Sequence, residues 1–187
     1  MARNADVTEL VKEHRSLRRR PLYTPLLIGL ALLLVWGVAA GWLAAAWGTT
    51  TVVLVRHAEK VGGDDPGLSD SGRERSERLA SLLADAGIDS IYVSELRRTR
   101  ETATPLASAL SLEPVVVPAG DGEQLVERIR DGDSGDAVLV VGHSNTLPEI
   151  AGRLGAELGP VGDDDYGGLW VISVSRLRGT RAVALRY

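Results

Sequence analysis

Two histidines and a cluster of arginines are the residues with which this chain could do chemistry. Arg56 and His57 stand side by side, and residues 94–100 read SELRRTR, with three arginines. His143 follows an apolar run within VVGHSNT (140–146). Arginine offers a planar fork of N–H donors to phosphate oxygens, and a neutral imidazole can attack phosphorus as a nucleophile. These residue types predict phosphate chemistry, provided that the fold brings them together.

Strand-like and helix-like segments alternate through residues 51–187. This pattern is typical of an α/β fold with a mainly parallel sheet flanked by helices on both faces. Ser71 and Glu74 have the spacing of a capping box, and a final hairpin is expected to turn through Arg178 and Gly179. We predict strands at 51–56, 91–93, 115–117, 137–142, 169–174 and 182–187, and helices at 69–86, 95–110, 123–130 and 145–154.

The predicted sheet explains how distant residues could meet. In open α/β sheets, ligands bind beyond the carboxyl ends of the strands. The first strand ends at Arg56 and His57, the second runs into 94–100, and the buried fourth strand ends at His143. We therefore expect two imidazoles and at least two guanidinium groups in one pocket. There the cations would hold the equatorial oxygens of a phosphoryl group during in-line attack, and water would cleave the resulting phosphohistidine with no metal or other cofactor.

Four motifs, in chain order, resemble those of the histidine phosphatase superfamily, whose fold is phosphoglycerate-mutase-like. LVRHAEK (54–60) resembles its strand with R-H-G/A, and LSDSGRERSERLASLL (68–83) resembles its L-[ST]-x-x-G-x-x-Q-A helix. SELRRTRETA (94–103) resembles S-x-L-x-R-x-x-x-T-A, and VVGHSNT (140–146) resembles the strand that bears the second histidine. Four motifs in the right order are far more specific than any one of them.

The resemblance implies a role for each matching residue. His57 is implied as the nucleophile, with Arg56, Arg98 and His143 binding the phosphate. Arg98 is selected because it stands four places after Ser94, the first residue of its motif. The neighbouring Arg97 and Arg100 are expected to face solvent or to pair with Glu101.

The general acid that would protonate the leaving oxygen is not fixed by the sequence. In many relatives it is a carboxylate beyond the third strand, where this chain has Asp121 and Glu123. Either residue could instead cap the helix that follows. Glu59, two residues after His57, is a third candidate, with the alternative role of ion-pair partner for a site arginine.

These expectations describe a phosphatase that hydrolyses phosphomonoesters or protein phosphohistidine, with a phosphorylated small molecule or phosphoprotein as its partner. A phosphoglycerate-mutase-type phosphotransferase is the alternative, but the 137 residues after position 50 leave no room for long insertions around a phosphoglycerate. A non-catalytic, membrane-tethered phosphate-binding module is a third possibility. A serine hydrolase is excluded because no histidine follows Ser144, and a metal-dependent hydrolase using His57, Glu59 and His143 would leave the arginines unexplained.

The N-terminal region differs sharply from the rest. Leu26 to Ala46 is an uninterrupted apolar run of 21 residues, which as a helix would extend about 31 Å, the thickness of a bilayer core. Basic residues concentrate before it, so the positive-inside rule predicts a cytoplasmic N-terminus and an extracytoplasmic domain. We predict a basic tail at 1–21, a transmembrane anchor at 22–48 between Tyr23 and Trp47, and the phosphatase domain at 49–187. The alternative is a signal peptide cleaved near Ala46, which would release a secreted protein.

Composition limits the remaining options. Residues 51–187 carry 15 basic and 22 acidic side chains, a net charge of −7, and aromatic residues make up 4% of the chain. An acidic domain with few aromatic residues argues against nucleic acid as a partner. The chain has no cysteine, so disulfides and thiolate chemistry are excluded. The acidic run 163–165 is interpreted as a solvated turn, and His14 as a solvated residue of the tail.

Overall fold

The computed structural model describes residues 23–46, 48–175 and 179–187. The predicted basic tail (1–21), which includes His14, lies outside the described residues. So do Trp47 and Arg178. By its internal contacts the chain divides into one unit ending at Ala44 and another beginning at Ala45.

The first unit contains a single described helix, α1 (Tyr23–Ala46). Its segment Tyr23–Leu43 has a mean hydropathy of 2.3, and none of it is buried in the protein. The helix is therefore long and apolar enough to cross a membrane. A signal sequence near an N-terminus has the same properties, so the helix alone does not decide between anchor and leader.

The second unit is built on a six-stranded sheet in the order β3-β2-β4-β1-β5-β6. The first four strands run parallel, whereas β5 lies antiparallel to β1 and β6 antiparallel to β5. This confirms the mainly parallel sheet and the closing hairpin. The strands are β1 (Thr49–Arg56), β2 (Ser90–Val93), β3 (Val115–Val116), β4 (Ala137–Gly142), β5 (Gly168–Ser175) and β6 (Gly179–Arg186).

Four helices cover the two faces of this sheet: α2 (Asp70–Leu83), α3 (Arg97–Leu110), α4 (Gly122–Asp131) and α5 (Thr146–Leu154). Side chains alternate along a strand, so β1 contributes Val53 to the core shared with α2 and α3, and Leu54 to the core shared with α4 and α5. Burial on both faces explains why the parallel strands are continuously apolar. The predicted helices on both faces are confirmed.

The start of α2 differs from the prediction. Its N-cap is Ser69, whose Oγ accepts a hydrogen bond from the backbone N–H of Gly72 at 3.1 Å. The capping box predicted for Ser71 and Glu74 is therefore wrong. The physical reason is tertiary: the backbone N–H of Ser69 bonds to the carbonyl oxygen of Glu59 at 2.9 Å, which fixes where the chain enters the helix.

Other elements begin or end a few residues from their predicted positions. The helix α2 ends at Leu83, three residues earlier than predicted, and a turn then leads to Gly87 in the left-handed region at φ 67°. The helix α3 begins at Arg97 rather than at residue 95, because Leu96 has extended backbone angles. Strand β3 is the two-residue edge strand of the sheet. None of these changes alters the order of the elements.

We expect Gly72→Ala to lower the free energy of unfolding by about 1–3 kcal/mol, the usual range for overpacking. A β-carbon at this position would collide with the carbonyl oxygen of Glu59. The matched control is Gly152→Ala in α5, where a β-carbon would meet no atom within 4 Å. This control should gain up to about 1 kcal/mol from helix propensity. Urea denaturation of the full chain measures both, and equal gains at the two positions would contradict the proposed contact.

Candidate active site

The pairing of β1 with β4 brings the two histidines together. In the parallel register, Arg56 lies opposite Gly142, and the backbone N–H of His57 bonds to the carbonyl oxygen of Gly142 at 3.0 Å. His57 and His143 therefore leave neighbouring strands at the same edge of the sheet. Their ring centroids are 5.3 Å apart, with a 60° angle between the ring planes. The structure therefore brings the two imidazoles together, as predicted.

A cleft of about 370 Å³ opens at this edge. Such a volume suits a small ligand. Its walls include all four residues expected at the phosphate site, together with Lys60 and the residues that lead into α5. The complete lining is Arg56, His57, Lys60, Leu96, Arg98, Ala119, Gly120, His143, Ser144, Asn145 and Thr146.

His57 is held as a neutral imidazole with its Nε2 atom available. Its Nδ1 lies 2.8 Å from the carbonyl oxygen of Ala58. A carbonyl can only accept, so the proton resides on Nδ1 and the lone pair on Nε2. Burial lowers the pKa of His57 from 6.5 to about 4. The nearby cationic groups lower it further, whereas the hydrogen bond to the Ala58 carbonyl raises it. At neutral pH the ring is therefore an uncharged potential nucleophile.

His143 is fixed from behind by hydroxyl groups. Its Nε2 lies 3.0 Å from Ser94 Oγ, which in turn lies 2.9 Å from Thr99 Oγ1. Burial lowers the pKa of His143 to about 4, Arg98 adds to this effect, and the charge of Glu95 opposes it. Within the described chain, Nδ1 of His143 is buried and has no hydrogen-bond partner. When Ser94 donates to Nε2, the proton lies on Nδ1, which is then free to donate to a ligand.

Arg56 is held in place by the loop that precedes β5. One terminal nitrogen of its guanidinium donates to the carbonyl oxygens of Gly162, at 2.9 Å, and Asp163. The ring of Tyr166 lies 4.2 Å from the guanidinium carbon, in a cation–π contact, and 5.9 Å from the His57 ring. The Nε of Arg56 is buried without a partner among the residues that the structure describes. Tyr166 therefore packs against both a proposed ligand residue and the proposed nucleophile.

This loop has further anchors that the sequence did not reveal. Ser144 Oγ donates to a carboxylate oxygen of Asp163 at 2.9 Å, and Arg186 forms an ion pair with Asp165 at 2.9 Å. The interpretation of 163–165 as only a solvated turn therefore missed its contact with the site. The single local signal of this contact in the sequence is Tyr166, the aromatic residue that follows the acidic run. Nothing in the spacing of Tyr166 connects it to Arg56.

The three arginines of the second motif have different surroundings. Arg97 forms an ion pair with Glu101 at 2.6 Å, as expected, and Arg100 is exposed. Arg98 is half-buried, lines the cleft, and has a buried Nε without a partner in the described part of the chain. The choice of Arg98 thus agrees with the geometry.

The candidate acids are widely separated. Arg75 donates to both carboxylate oxygens of Glu59, at 2.6 to 2.9 Å, and lowers the pKa of that carboxyl. The alternative role considered for Glu59, ion-pair partner of a site arginine, is therefore wrong, because its partner Arg75 lies on α2. Glu123 is 74% exposed and lies 3.6 Å from Arg153. Asp121, by contrast, lines a small apolar pocket shared with His143.

These groups suit a tetrahedral oxyanion. Arg56 and Arg98 carry permanent positive charge beside two neutral imidazoles, and each has an unused donor. In a partly buried cleft, such donors hold negative charge more strongly than in water. His57 adds a lone pair at Nε2. The arrangement can therefore bind a phosphoryl group and attack its phosphorus.

Comparison with known proteins gives one family match. Residues 52–119 match the family model of the histidine phosphatase superfamily, branch 1. Phosphoserine phosphatase 1 of Hydrogenobacter thermophilus is 39% identical over 72 residues, which cover 34% of this chain and 34% of that protein. The chain thus matches about a third of the length of this curated relative.

Solved structures match over most of the domain. The protein histidine phosphatase SixA complexed with tungstate superposes with a TM-score of 0.61 at 18% identity, covering 73% of this chain and 96% of that one. Mycobacterial glucosyl-3-phosphoglycerate phosphatase superposes with a TM-score of 0.58 at 15% identity, covering 74% and 98%. The domain therefore has the phosphoglycerate-mutase-like fold, as its motifs predicted.

Titration of the histidines tests this description of the site. We expect His57 and His143 to titrate near pH 4. Tyr166→Leu should raise the pKa of His57 toward 6.5, because loss of the aromatic ring exposes the imidazole to water. Tyr166→Phe keeps the ring and should leave the pKa unchanged. NMR of the histidine Cε1–H signals, assigned with single His→Gln variants, gives these values.

The same shifts fix the sign of a stability effect. Between pH 6.5 and 4, the unfolded chain binds more protons at these two positions than the folded one, so the free energy of unfolding falls as the pH falls. A wild-type His57 that titrates near 6.5 would contradict its burial in this site.

Proposed function

We propose that this protein is a phosphatase of the histidine phosphatase superfamily that hydrolyses phosphomonoesters, or phosphohistidine in a protein, through a covalent phosphohistidine on His57. One observation carries the proposal: the two histidine rings lie 5.3 Å apart in a cleft that also contains Arg56 and Arg98. The family match over residues 52–119 supports it. The printed names of the similar proteins, which include phosphatases for phosphoserine, glucosyl-3-phosphoglycerate and protein histidine, support the substrate classes.

In the first step, Nε2 of His57 attacks the phosphorus in line with the leaving group. A P–N bond forms, the bond from phosphorus to the leaving oxygen or nitrogen breaks, and the leaving atom takes a proton. The hydrogen bond from Nδ1 to the Ala58 carbonyl keeps the nucleophilic lone pair on Nε2 and stabilises the positive charge that the ring acquires. The low pKa of His57 keeps the ring unprotonated at neutral pH.

In the second step, water attacks the phosphohistidine and releases inorganic phosphate. The P–N bond breaks, and a carboxylate accepts the proton of the attacking water. Arg56, Arg98 and His143 hold the three equatorial oxygens in both steps, where the transition state carries its charge. The cleft is open to solvent, which favours hydrolysis over transfer to a second substrate.

We assign the proton transfers to Asp121 rather than to Glu123. Asp121 borders the pocket beside His143, whereas Glu123 is directed to Arg153. Glu59 is excluded from this role because Arg75 occupies both of its oxygens. The same ion pair removes Glu59 from the metal-binding alternative with the two histidines.

We expect His57→Ala to abolish phosphate release, and Arg98→Ala to reduce kcat/KM by about 10²–10³, as for a lost transition-state donor. Arg100→Ala, an exposed arginine on the same helix, is the matched control and should retain full activity. Rapid quenching with a ³²P-labelled substrate should trap an acid-labile, alkali-stable phosphoenzyme in the wild type and in Arg100→Ala, but not in His57→Ala.

Three results would refute parts of this scheme. Full activity of His57→Ala would refute the nucleophile. Release that requires a bisphosphorylated primer would indicate the mutase, and saturable phosphate binding without release would indicate the non-catalytic module.

The choice of the leaving group isolates the general acid. Asp121→Asn should slow the formation of the phosphoenzyme, measured by rapid quenching, by about 10²–10⁴ for an alkyl phosphate, whose leaving oxygen needs a proton. The slowing should be much smaller for p-nitrophenyl phosphate, whose leaving group is stable as an anion. Glu123→Gln is the control and should change neither rate. An Asp121→Asn enzyme that loses both rates equally would contradict the assignment.

We also propose that α1 anchors the domain outside the cytoplasmic membrane, with the basic tail inside. The hydropathy of Tyr23–Leu43 and the basic residues before it support this orientation. Added trypsin should digest the domain in intact spheroplasts and leave a membrane-bound fragment. Complete protection would overturn the orientation, and a mature protein in the medium that begins after Ala46 would indicate a cleaved leader instead.

A further inference from the structure

The charge of the cleft is unlike that of the domain around it. Residues 51–187 carry a net charge of −7, yet no Asp or Glu contributes to the described lining of the cleft. Three permanent cations line it instead: Arg56, Lys60 and Arg98. The walls of the cleft are therefore positively charged, and the proposed acid Asp121 borders the adjoining pocket instead, so the cleft attracts anions although the domain is acidic overall.

One of these cations is not needed by the phosphoryl group. Arg56, Arg98 and His143 supply donors for the three equatorial oxygens, and His57 supplies the attacking atom. Lys60 remains, three residues after His57 on the same segment. Its side chain is exposed, and none of the ion pairs in the described part of the chain involves it.

Two carboxylates near Lys60 are already bound by other groups. Glu59 is bound to Arg75 by both carboxylate oxygens. Glu101 accepts hydrogen bonds from Arg97 and from the backbone N–H of Leu68. Both carboxylates are held by other donors, and Lys60 forms no ion pair in the described part of the chain, so its ammonium group can bind a ligand.

The backbone at Lys60 is also fixed. Lys60 forms an antiparallel bridge with Leu68, and the N–H of Val61 bonds to the carbonyl oxygen of Gly67 at 3.1 Å. On the other side, the carbonyl oxygen of Glu59 accepts from the N–H of Ser69 at 2.9 Å. The Lys60 side chain therefore extends from a rigid base at a defined position relative to His57.

We propose that Lys60 binds a second anionic group of the substrate, a carboxylate a few bonds from the phosphoryl group that His57 attacks. The inference rests on the proposed phosphatase function and narrows its substrate class to small phosphorylated acids. The cleft volume of about 370 Å³ fits such a molecule. Lys60 is thus a specificity-determining residue, whereas the phosphoryl group itself is bound by the arginines and His143.

Matched substrates that differ only at the second group test this subsite. Phosphoglycolate is compared with 2-hydroxyethyl phosphate, and 3-phosphoglycerate with glycerol 1-phosphate, using the full-length protein. For at least one pair, the wild type should prefer the carboxylate by about tenfold in kcat/KM, typical of a charge-assisted hydrogen bond. Lys60→Gln should remove this preference through a loss on the carboxylated substrate alone, and Lys60→Arg should retain most of it.

The controls separate the failure of this inference from the failure of the function. Arg100→Gln removes an exposed charge outside the cleft and should leave both preferences unchanged. Hydrolysis of p-nitrophenyl phosphate in a His57-dependent reaction would show that the phosphatase function stands. The Lys60 subsite is then refuted if neither pair shows a preference, or if Lys60→Gln lowers kcat/KM equally for both members of a pair. If no probe releases phosphate, the proposed function falls and the subsite falls with it.

Discussion

The register between β1 and β4 is the constraint on which the site depends. Two parallel strands, whose paired positions are 86 residues apart in the chain, end at the same level. Arg56 therefore lies opposite Gly142, and the next residue after each strand is a histidine. The bond from the His57 N–H to the Gly142 carbonyl continues this ladder by one step beyond the strands. A shift by one residue would move His57 to the other face of the sheet and separate the rings.

The same arrangement has an electrostatic consequence. Both rings are buried beside arginines, so protonation of either would place another charge among like charges in a poorly solvated site. Their low pKa values follow from this burial. The protein thus holds His57 in the neutral form that the proposed nucleophilic attack requires, at the cost of stability in acid. Positive charge is supplied instead by guanidinium groups, which remain protonated when partly buried.

Support for these groups comes from all parts of the domain. The loop before β5 grips Arg56 through two carbonyls and the ring of Tyr166, while Ser94 at the end of β2 holds His143. On α2, Arg75 binds Glu59 and also donates to the carbonyl oxygen of Tyr187 at 3.1 Å. The residues nearest the proposed phosphate site are therefore positioned by segments from both ends of the domain sequence, and no long insertion is needed to build the cleft.

The sequence by itself determined the α/β architecture and the apolar helix, and it predicted the four residues that the fold brings to one cleft. These features have strong local signals: continuous apolar strands, helical spacing, and motifs that bring Arg56, His57, Arg98 and His143 to strand or helix ends. Tertiary structure decided the rest. Ser69 caps α2 because Glu59 holds its backbone, Glu59 pairs with Arg75 across two elements, and Tyr166 covers Arg56 from a loop more than 100 residues away. Contacts of this kind depend on distances between segments that no local pattern encodes, so they become visible only when the chain is folded.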